Sequence, residues 1–426
     1  MTKRRSIMNR RHFLQTAGAA GALTLVSGNL RMALAQTSGP IRIGFLAPLT
    51  GTAASAGREL VDGWNLYWQQ AGMELAGRKV EVIVEDDASS PDTALQKARR
   101  LVQQQKVHML VGDILANTGL AVAEYAKGTG TPYFMPVVAA DDLTQRTRIP
   151  NVLRVAGFAA SQMTRPLADW CLKQGYKRVV TIGQDYTFGH EQAGGFIQNF
   201  TQGGGTLAGQ LWHPLNTADF SPYLGQIPSF SPDVVLAIET GADAARLLKQ
   251  WYSFGMKQQF PLVTSQNTTD QSIIRNLLPA EALGIVSSAH YAEGADDPAV
   301  KQFVDAYEKE FKILPAIFAA EGFTAGLWIA DAIKKVQGNV EDIPAFLDAV
   351  KSTTIPDSPL GQNLHMDDYG NPIYNIYIRE VVERPDGKLV NAVIDSYAEV
   401  SQFGNLSPEE YLKQPPFSRD FQGVAK

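Results

Sequence analysis

From residue 41 onward, short apolar runs alternate with amphipathic stretches. Residues 41–47 form an apolar run that Pro48 and Gly51 break. Over 58–70 the residues Leu60, Val61, Trp64, Tyr67 and Trp68 recur at helical spacing. Residues 79–85 alternate Val80, Val82 and Val84 with Lys79, Glu81 and Glu85, a strand pattern. A helix is expected over 92–104, with Leu95, Ala98, Leu101 and Val102 on one face. A strand at 108–112, a helix at 118–127 and a strand at 132–135 follow. The order β-α-β-α-β-α-β implies a parallel sheet covered by helices on both faces.

The same grammar restarts after about residue 156. Helices are expected at 161–173 and 189–202, the second ended by Gly203-Gly204-Gly205, with a strand at 178–183 between them. A strand at 206–212, a short helix near 220–227, a strand at 234–238, a helix at 242–254 and a strand at 262–264 follow. Two α/β units in series suggest two lobes. Further on come a strand at 284–288, helices at 300–311, 318–336 and 343–352, and strands at 375–381 and 389–396. Pro415, Pro416 and a polar end suggest a tail packed loosely on the surface.

Charge changes the picture at the start of the chain. Residues 1–35 hold six basic residues (Lys3, Arg4, Arg5, Arg10, Arg11 and Arg31) and no acid. The basic start, the weakly apolar run over 16–26 and Ala33-Leu34-Ala35 read as a signal peptide cleaved after Ala35. Asn9-Arg10-Arg11-His12-Phe13-Leu14-Gln15 resembles the twin-arginine export motif, without the usual Ser or Thr before the arginines or the usual closing Lys. No cysteine stands at the cleavage site, so a lipoprotein anchor is not expected. Without residues 1–35 the chain has 32 basic against 43 acidic side chains. That acidic periplasmic remainder is no nucleic-acid binder. With 426 residues, 45% hydrophobic and 19% charged, the chain has ordinary globular composition for two or three domains. Its one cysteine, Cys171, excludes an internal disulfide and reads as a buried structural thiol.

Open parallel sheets bind ligands in the loops at the carboxyl ends of their strands. Here those loops are 48–57, 113–118, 136–142, 184–189, 239–243 and 265–270, rich in Thr, Ser, Asn, Ala and Gly. Small residues let a carboxylate approach the N–H groups that open each helix. A catalytic reading finds little support. No phosphate loop, zinc helix or nucleophile elbow is present, and the six histidines never fall at metal-ligand spacing. His190-Glu191 reads as a solvated helix start. Glu85-Asp86-Asp87 reads as charges closing a strand, and Asp367-Asp368-Tyr369-Gly370 as a hairpin turn. No catalytic residue, metal or cofactor is expected.

The string 41–52 (Ile-Arg-Ile-Gly-Phe-Leu-Ala-Pro-Leu-Thr-Gly-Thr) resembles the opening of the branched-chain amino-acid-type (leucine/isoleucine/valine-binding) solute-binding proteins of ABC importers. So do Val84-Glu-Asp-Asp-Ala-Ser-Ser-Pro, Val111-Gly-Asp, Pro132-Tyr-Phe-Met-Pro, Asp142-Leu-Thr, Tyr186-Thr-Phe-Gly and Pro232-Asp-Val-Val. The resemblance covers roughly 41–400. It implies the α/β type I periplasmic binding fold: two Rossmann-like lobes with mostly parallel sheets, joined by a three-stranded hinge. Crossovers are expected near 155–158, 286–290 and 360–364. Lobe 1 is then 41–156 plus 289–362, lobe 2 is 157–288 plus 363–400, and 401–426 is a C-terminal tail. Lobe closure around a small solute would present a surface to an inner-membrane ABC permease. A monomer is expected.

The site residues that the resemblance implies depart from the amino-acid pattern. Ala116-Asn117, with Thr118 beside them, stand where a Ser usually helps hold the α-carboxylate. Val138-Ala139-Ala140 stand where a Thr or Ser holds the ammonium. The acid that pairs with the ammonium aligns with Gln266, and an aromatic lid residue aligns with Ala56. The usual second-lobe Tyr aligns with Phe188, near Tyr186, and the next loop supplies Glu239-Thr240, where Glu239 can replace the missing acid. An unpaired buried ammonium costs on the order of several kcal/mol. The expected ligand is therefore bulkier than leucine, an aromatic or other apolar carboxylate or amide. Tyr186 and Phe188 would stack on it, and the N–H groups of Asn117 and Ala139 would receive its oxygen. A branched-chain amino acid stays open as the alternative, on a register one or two residues different. A ligand-sensing receptor domain and an exported hydrolase are the competing classes. A sensor would need a signalling or transmembrane segment after residue 400, and a hydrolase an activated nucleophile.

Overall fold

The computed structural model describes residues 39–423. The signal-peptide reading of 1–35 lies outside them. The first sheet has the order β2-β3-β1-β4-β5-β6, built from β1 (Ile41–Ala47), β2 (Glu74–Leu75), β3 (Arg78–Asp86), β4 (Met109–Gly112), β5 (Tyr133–Met135) and β6 (Val152–Arg154). All pairings are parallel except β2 with β3. Helices α1 (Ala54–Ala71), α2 (Pro91–Gln103) and α3 (Ala116–Thr129) connect its strands.

The second sheet has a parallel part, β8-β7-β9-β10-β11, from β7 (Arg178–Gln184), β8 (Thr206–His213), β9 (Val234–Ile238), β10 (Leu262–Thr264) and β11 (Val286–Ala289). Its helices include α4 (Ala160–Lys173), α5 (Thr187–Gln202), α6 (Ser221–Leu224) and α7 (Gly241–Ser253), with short turns α8 (Gln271–Ile274) and α9 (Pro279–Ala282). Helices α10 (Pro298–Phe311), α11 (Ile317–Lys335) and α12 (Ile343–Lys351) return to the first lobe, where α11 packs along α1. Strands β12 (Ile355–Ser358) and β13 (Gly361–Met366) form an antiparallel hairpin. Then β14 (Pro372–Glu383) and β15 (Leu389–Val400) extend the second sheet antiparallel.

The chain thus passes between the lobes at 155–159 and 290–297, and turns from the β12–β13 hairpin into β14 at 367–371, a third passage. The hairpin spans the expected crossover at 360–364: it is hydrogen-bonded to β14 of the second sheet and packs apolar side chains on α11 of the first lobe. Its Ile355, Leu360, Leu364 and Met366 bury against the same cluster as Trp328 and Ile329 of α11. The expected boundaries 289–362 and 363–400 cut that hairpin in two. The turn at 367–371 matches the expected Asp367–Gly370 hairpin, with Asp367 Oδ1 accepting from the N–H groups of Tyr369 and Asn371. In β3 only part of the alternation is realised. Val80 is buried but Val84 is exposed, while Glu85 is buried between Lys97 (2.7 Å) and Arg100 (3.1 Å) of α2.

The tail is not loose. Phe403, Tyr411 of α13 (Pro408–Leu412) and Phe417 form a buried aromatic cluster, with Phe403 edge-on to Tyr369 of the third passage. Trp64, Trp68 and Cys171 are buried in the core, and Tyr291 is buried beside the second passage.

Candidate functional site

The carboxyl ends of β1, β4 and β5 in one lobe, and of β7, β9 and β10 in the other, carry the loops that the sequence singles out. The first loop is shaped by Asp86. Its Oδ1 accepts from the N–H groups of Leu49 (2.9 Å) and Thr50 (3.2 Å), and its Oδ2 from Thr50 Oγ1 (2.7 Å). Burial opposes ionisation, but these hydrogen bonds outweigh it and hold the carboxyl below its usual range. Arg58 is exposed and donates to the Leu49 carbonyl. Ala56, in the first turn of α1, is half-buried against the central apolar cluster.

The Val111-Gly112-Asp113 motif shapes the backbone. Gly112 has φ +123°, and a Cβ there would stand 1.9 Å from the Leu46 carbonyl oxygen, so only glycine fits. Asp113 follows at φ 59° and is buried, accepting from Tyr133 Oη at 2.8 Å. Burial first, and the neighbouring Asp87 carboxyl next, raise it to about 8, while burial raises Asp87 to about 6. Asp87 is therefore a buried member of this pair, and not a solvated strand-end charge.

The structure separates the lobe 1 candidates. Thr118 Oγ1 donates to the Leu115 carbonyl (2.7 Å), so that hydroxyl is committed within its own helix start. Asn117 is exposed, its Oδ1 taken by the Thr118 N–H. Val138 and Ala140 are buried in the cluster behind the sheet, with Ala116 half-buried against it, so these three side chains turn away from the second lobe. Ala139 belongs to the front cluster, together with Phe158 and Phe188, and Ala56 and Tyr186 pack on it. The fully buried Arg154 pins this loop. It donates to the carbonyls of Val138 (3.0 Å) and Ala140, to Thr144 Oγ1 and to Asn371 Oδ1 (3.1 Å).

Lobe 2 presents side chains. Tyr186 and Phe188 lie with ring centroids 6.0 Å apart at 39°. Burial pushes the Tyr186 hydroxyl well up, against its hydrogen bond to Thr240. Thr240 Oγ1 donates in turn to Gln184 Oε1 (2.8 Å), and Gln184 Nε2 to Asp243 Oδ2 (2.7 Å). Glu239 is buried and bonded to His213 Nε2 at 2.8 Å. Burial pushes Glu239 up to about 7; that carboxyl, outweighing burial, raises His213 above its usual value. Glu239 thus meets His213 through Oε1, while its Oε2 is buried without a partner among the described residues. His213, Glu239 and Asp243 come within 4.8 Å of one another, a grouping that no spacing in the sequence announces. Arg246 pairs with Asp243, whose other oxygen accepts from Gln184 and the Asn216 N–H, so these donors are committed and do not fit a cation.

Gln266 is fully buried, and neither atom of its side-chain amide has a partner among the described residues. Its carbonyl is fixed by Arg379 Nη2 at 2.6 Å, while Arg379 Nη1 holds the Tyr291 carbonyl (2.8 Å) and Nε holds Ser287 Oγ (2.9 Å). Gln192, one helical turn after Phe188 on the same face of α5, is buried with both amide atoms unpartnered too. Buried amides are nearly always satisfied, so two unsatisfied ones mark surfaces that a polar ligand or water completes. Sequence reasoning missed Gln192 and Arg379. The i+4 spacing from Phe188 was the available signal for the first, and the second had none.

The lobes touch across the gap. Glu191 Oε1 accepts from the Asp141 N–H (3.1 Å), Asp270 Oδ2 from the Ile317 N–H (3.0 Å), and Arg275 pairs with Glu59. Glu191 is buried, so the expected solvated helix start does not hold; His190 instead pairs with Asp185 at 2.8 Å. In the hinge, the His290 ring lies tilted between those of Phe158 in the first passage and Tyr374 in β14, with Nε2 3.3 Å from Glu321. Burial lowers His290 to about 3 and raises Glu321 well above its usual value, so the pair is neutral.

A sequence family described as periplasmic binding protein matches residues 40–388, and a twin-arginine translocation signal sequence matches 8–27. The chain is 34% identical to an ABC transporter substrate-binding protein from Sphaerobacter thermophilus, with TM-score 0.81, covering 85% of this chain and 99% of that one. A solute-binding protein of an ABC transporter from Rhodopseudomonas palustris BisB5, solved with 3,4-dihydroxybenzoic acid, is 29% identical with TM-score 0.80, covering 85% and 98%. Leu/Ile/Val-binding protein homolog 6 of Brucella melitensis is 26% identical over 379 residues, 88% of this chain and 96% of that protein.

Proposed function

This chain belongs to the periplasmic binding protein family, and on that premise we propose that it captures an aromatic or other bulky apolar carboxylate or amide and hands it to its ABC permease. The observation that carries this reading is the pair of neighbouring rings Tyr186 and Phe188 in lobe 2, in the same apolar cluster as Ala56 and Ala139 of lobe 1. Flat rings and alanines suit an aromatic solute, and Val138-Ala139-Ala140 offer no hydroxyl to help hold a buried ammonium. Gln266 and Gln192 supply neutral donors and acceptors for a carboxylate or hydroxyl. The R. palustris relative solved with 3,4-dihydroxybenzoic acid supports the same class. Of the implied ligand residues, Ala56, Ala139, Tyr186, Phe188, Thr240 and Gln266 remain in this reading, with Gln192 added. The solute is bound and released without chemical change.

Isothermal titration of the mature protein tests the reading. Binding of 3,4-dihydroxybenzoate or benzoate at micromolar or tighter Kd, with leucine at least about a hundredfold weaker, is the expected result. Tight leucine binding without aromatic-acid binding overturns it.

A further inference from the structure

The chain segment after β15 crosses the hinge and is fastened to both lobes. On the lobe 1 side, Thr144 Oγ1 donates to Gln402 Oε1 (2.9 Å), and Arg146 donates to the carbonyls of Gln414 (2.9 Å) and Tyr411 (3.2 Å). On the lobe 2 side, Arg165 Nη2 donates to Tyr411 Oη (3.3 Å) and Gln198 Nε2 to Gln414 Oε1 (2.8 Å), while Arg419 pairs with Asp185 at 2.6 Å. The Tyr411 ring lies under both guanidiniums, 5.3 Å from that of Arg146 and 5.4 Å from that of Arg165. Phe417 seats on α5 at Gly194, where a Cβ would come within 2.3 Å of the ring. Gln402 also donates to Asp367 in the third passage (2.7 Å).

We propose that residues 402–421 form a strap that couples lobe rotation to the site and biases the protein toward its closed form. The attachment points are what give the strap leverage. Thr144 and Arg146 follow directly on the 136–140 loop, and Asp185, Gly194 and Gln198 frame the helix that carries Phe188. Opening the lobes moves these two groups apart, so one set of strap contacts must break. A rigid-body opening therefore costs more with the strap in place, and the closed form is more populated before ligand arrives. The inference rests on the reading of this fold as two lobes closing on a solute, and its test does not depend on which solute.

Nitroxide labels at Lys127→Cys in lobe 1 and Tyr252→Cys in lobe 2, both exposed positions, report the separation of the lobes by pulsed EPR; Cys171 is buried. In the full chain without ligand, Arg146→Met is expected to lengthen and broaden the distance distribution. A stop codon after Ser401 is expected to do so more strongly. In parallel, Kd for 3,4-dihydroxybenzoate is expected to rise about fivefold or more in either variant. If the truncated chain does not fold, Arg146→Met and Arg419→Met release the strap from one lobe each and give the same readout. Unchanged distance distributions in these variants overturn the strap. If 3,4-dihydroxybenzoate fails to bind even the unmodified chain, the aromatic-ligand reading falls, and the distances still decide the strap.

Discussion

In the first lobe, the loops facing the cleft offer alanines and backbone. Ala56 and Ala139 belong to the large apolar cluster that also holds Phe188, Val138 and Ala140 belong to a separate one within lobe 1, and Thr118 bonds its own helix start. In the second lobe, the corresponding loops offer rings and amides: Tyr186, Phe188, Gln192 and Gln266, backed by the Thr240–Gln184–Asp243 chain. In the proposed site, one wall supplies shape and the other supplies chemistry. On that proposal, ligand size is set mainly in lobe 1 and ligand class mainly in lobe 2.

The sharpest way to break this comparison is to remove a ring. Phe188→Ala is expected to weaken aromatic-acid binding by about 2–3 kcal/mol, roughly 30- to 150-fold in Kd by titration calorimetry. A loss below threefold would take Phe188 out of the site. Next comes the pair of neighbouring alanines. Ala139→Leu fills the cleft and is expected to cost about 1–2 kcal/mol of binding. Ala140→Leu overpacks the rear core and is expected to lower unfolding stability by a similar amount. Equal effects of both substitutions on binding would erase the distinction between the two faces of that loop.

A smaller effect compares the buried acids of the two lobes through pH. Asp113 is raised to about 8 and Asp87 to about 6 in the folded chain, above their unfolded values. A raised carboxyl contributes stability that is complete below about pH 4 and is lost as pH climbs through the folded value. The native chain is therefore expected to lose stability between about pH 4 and 8. Asp113→Asn, which keeps an acceptor for Tyr133 and tolerates the positive φ, is expected to flatten that slope in urea titrations. Glu239, raised to about 7, and His213, raised from its ordinary value, titrate in the same direction. Glu239→Gln should remove the part of the slope centred near neutrality and leave the rest. The smallest effect is Val84→Thr, an exposed strand position, expected to stay within about 0.5 kcal/mol of the parent.

Much of the architecture was legible because periodicity survives without context. The strands at 41–47, 178–184 and 234–238 and the helices bearing Trp64, Leu101 and Leu247 announce themselves by spacing alone. The strands β2, β6, β12 and β13 did not, while β5 and β10, equally short, stood out as apolar runs between turn residues. The tail read as loose because its prolines and polar residues hide three aromatics spaced too widely for any helical or strand pattern.

The sequence alone determined the export signal and the two-lobe α/β class, and it named the loops proposed to hold a solute, since each follows from local composition or chain order. It could not decide which side chains of 137–140 join which apolar cluster, because consecutive residues in an irregular loop share no fixed period. It could not pair Glu239 with His213, 26 residues apart at the ends of β9 and β8, which flank β7 on opposite sides. Nor could it place Arg379, which follows a register shift at Ile378/Arg379 and is buried despite the strand's alternation. Those assignments depend on contacts between distant segments, and only tertiary packing, which buries or frees each polar group, fixes them.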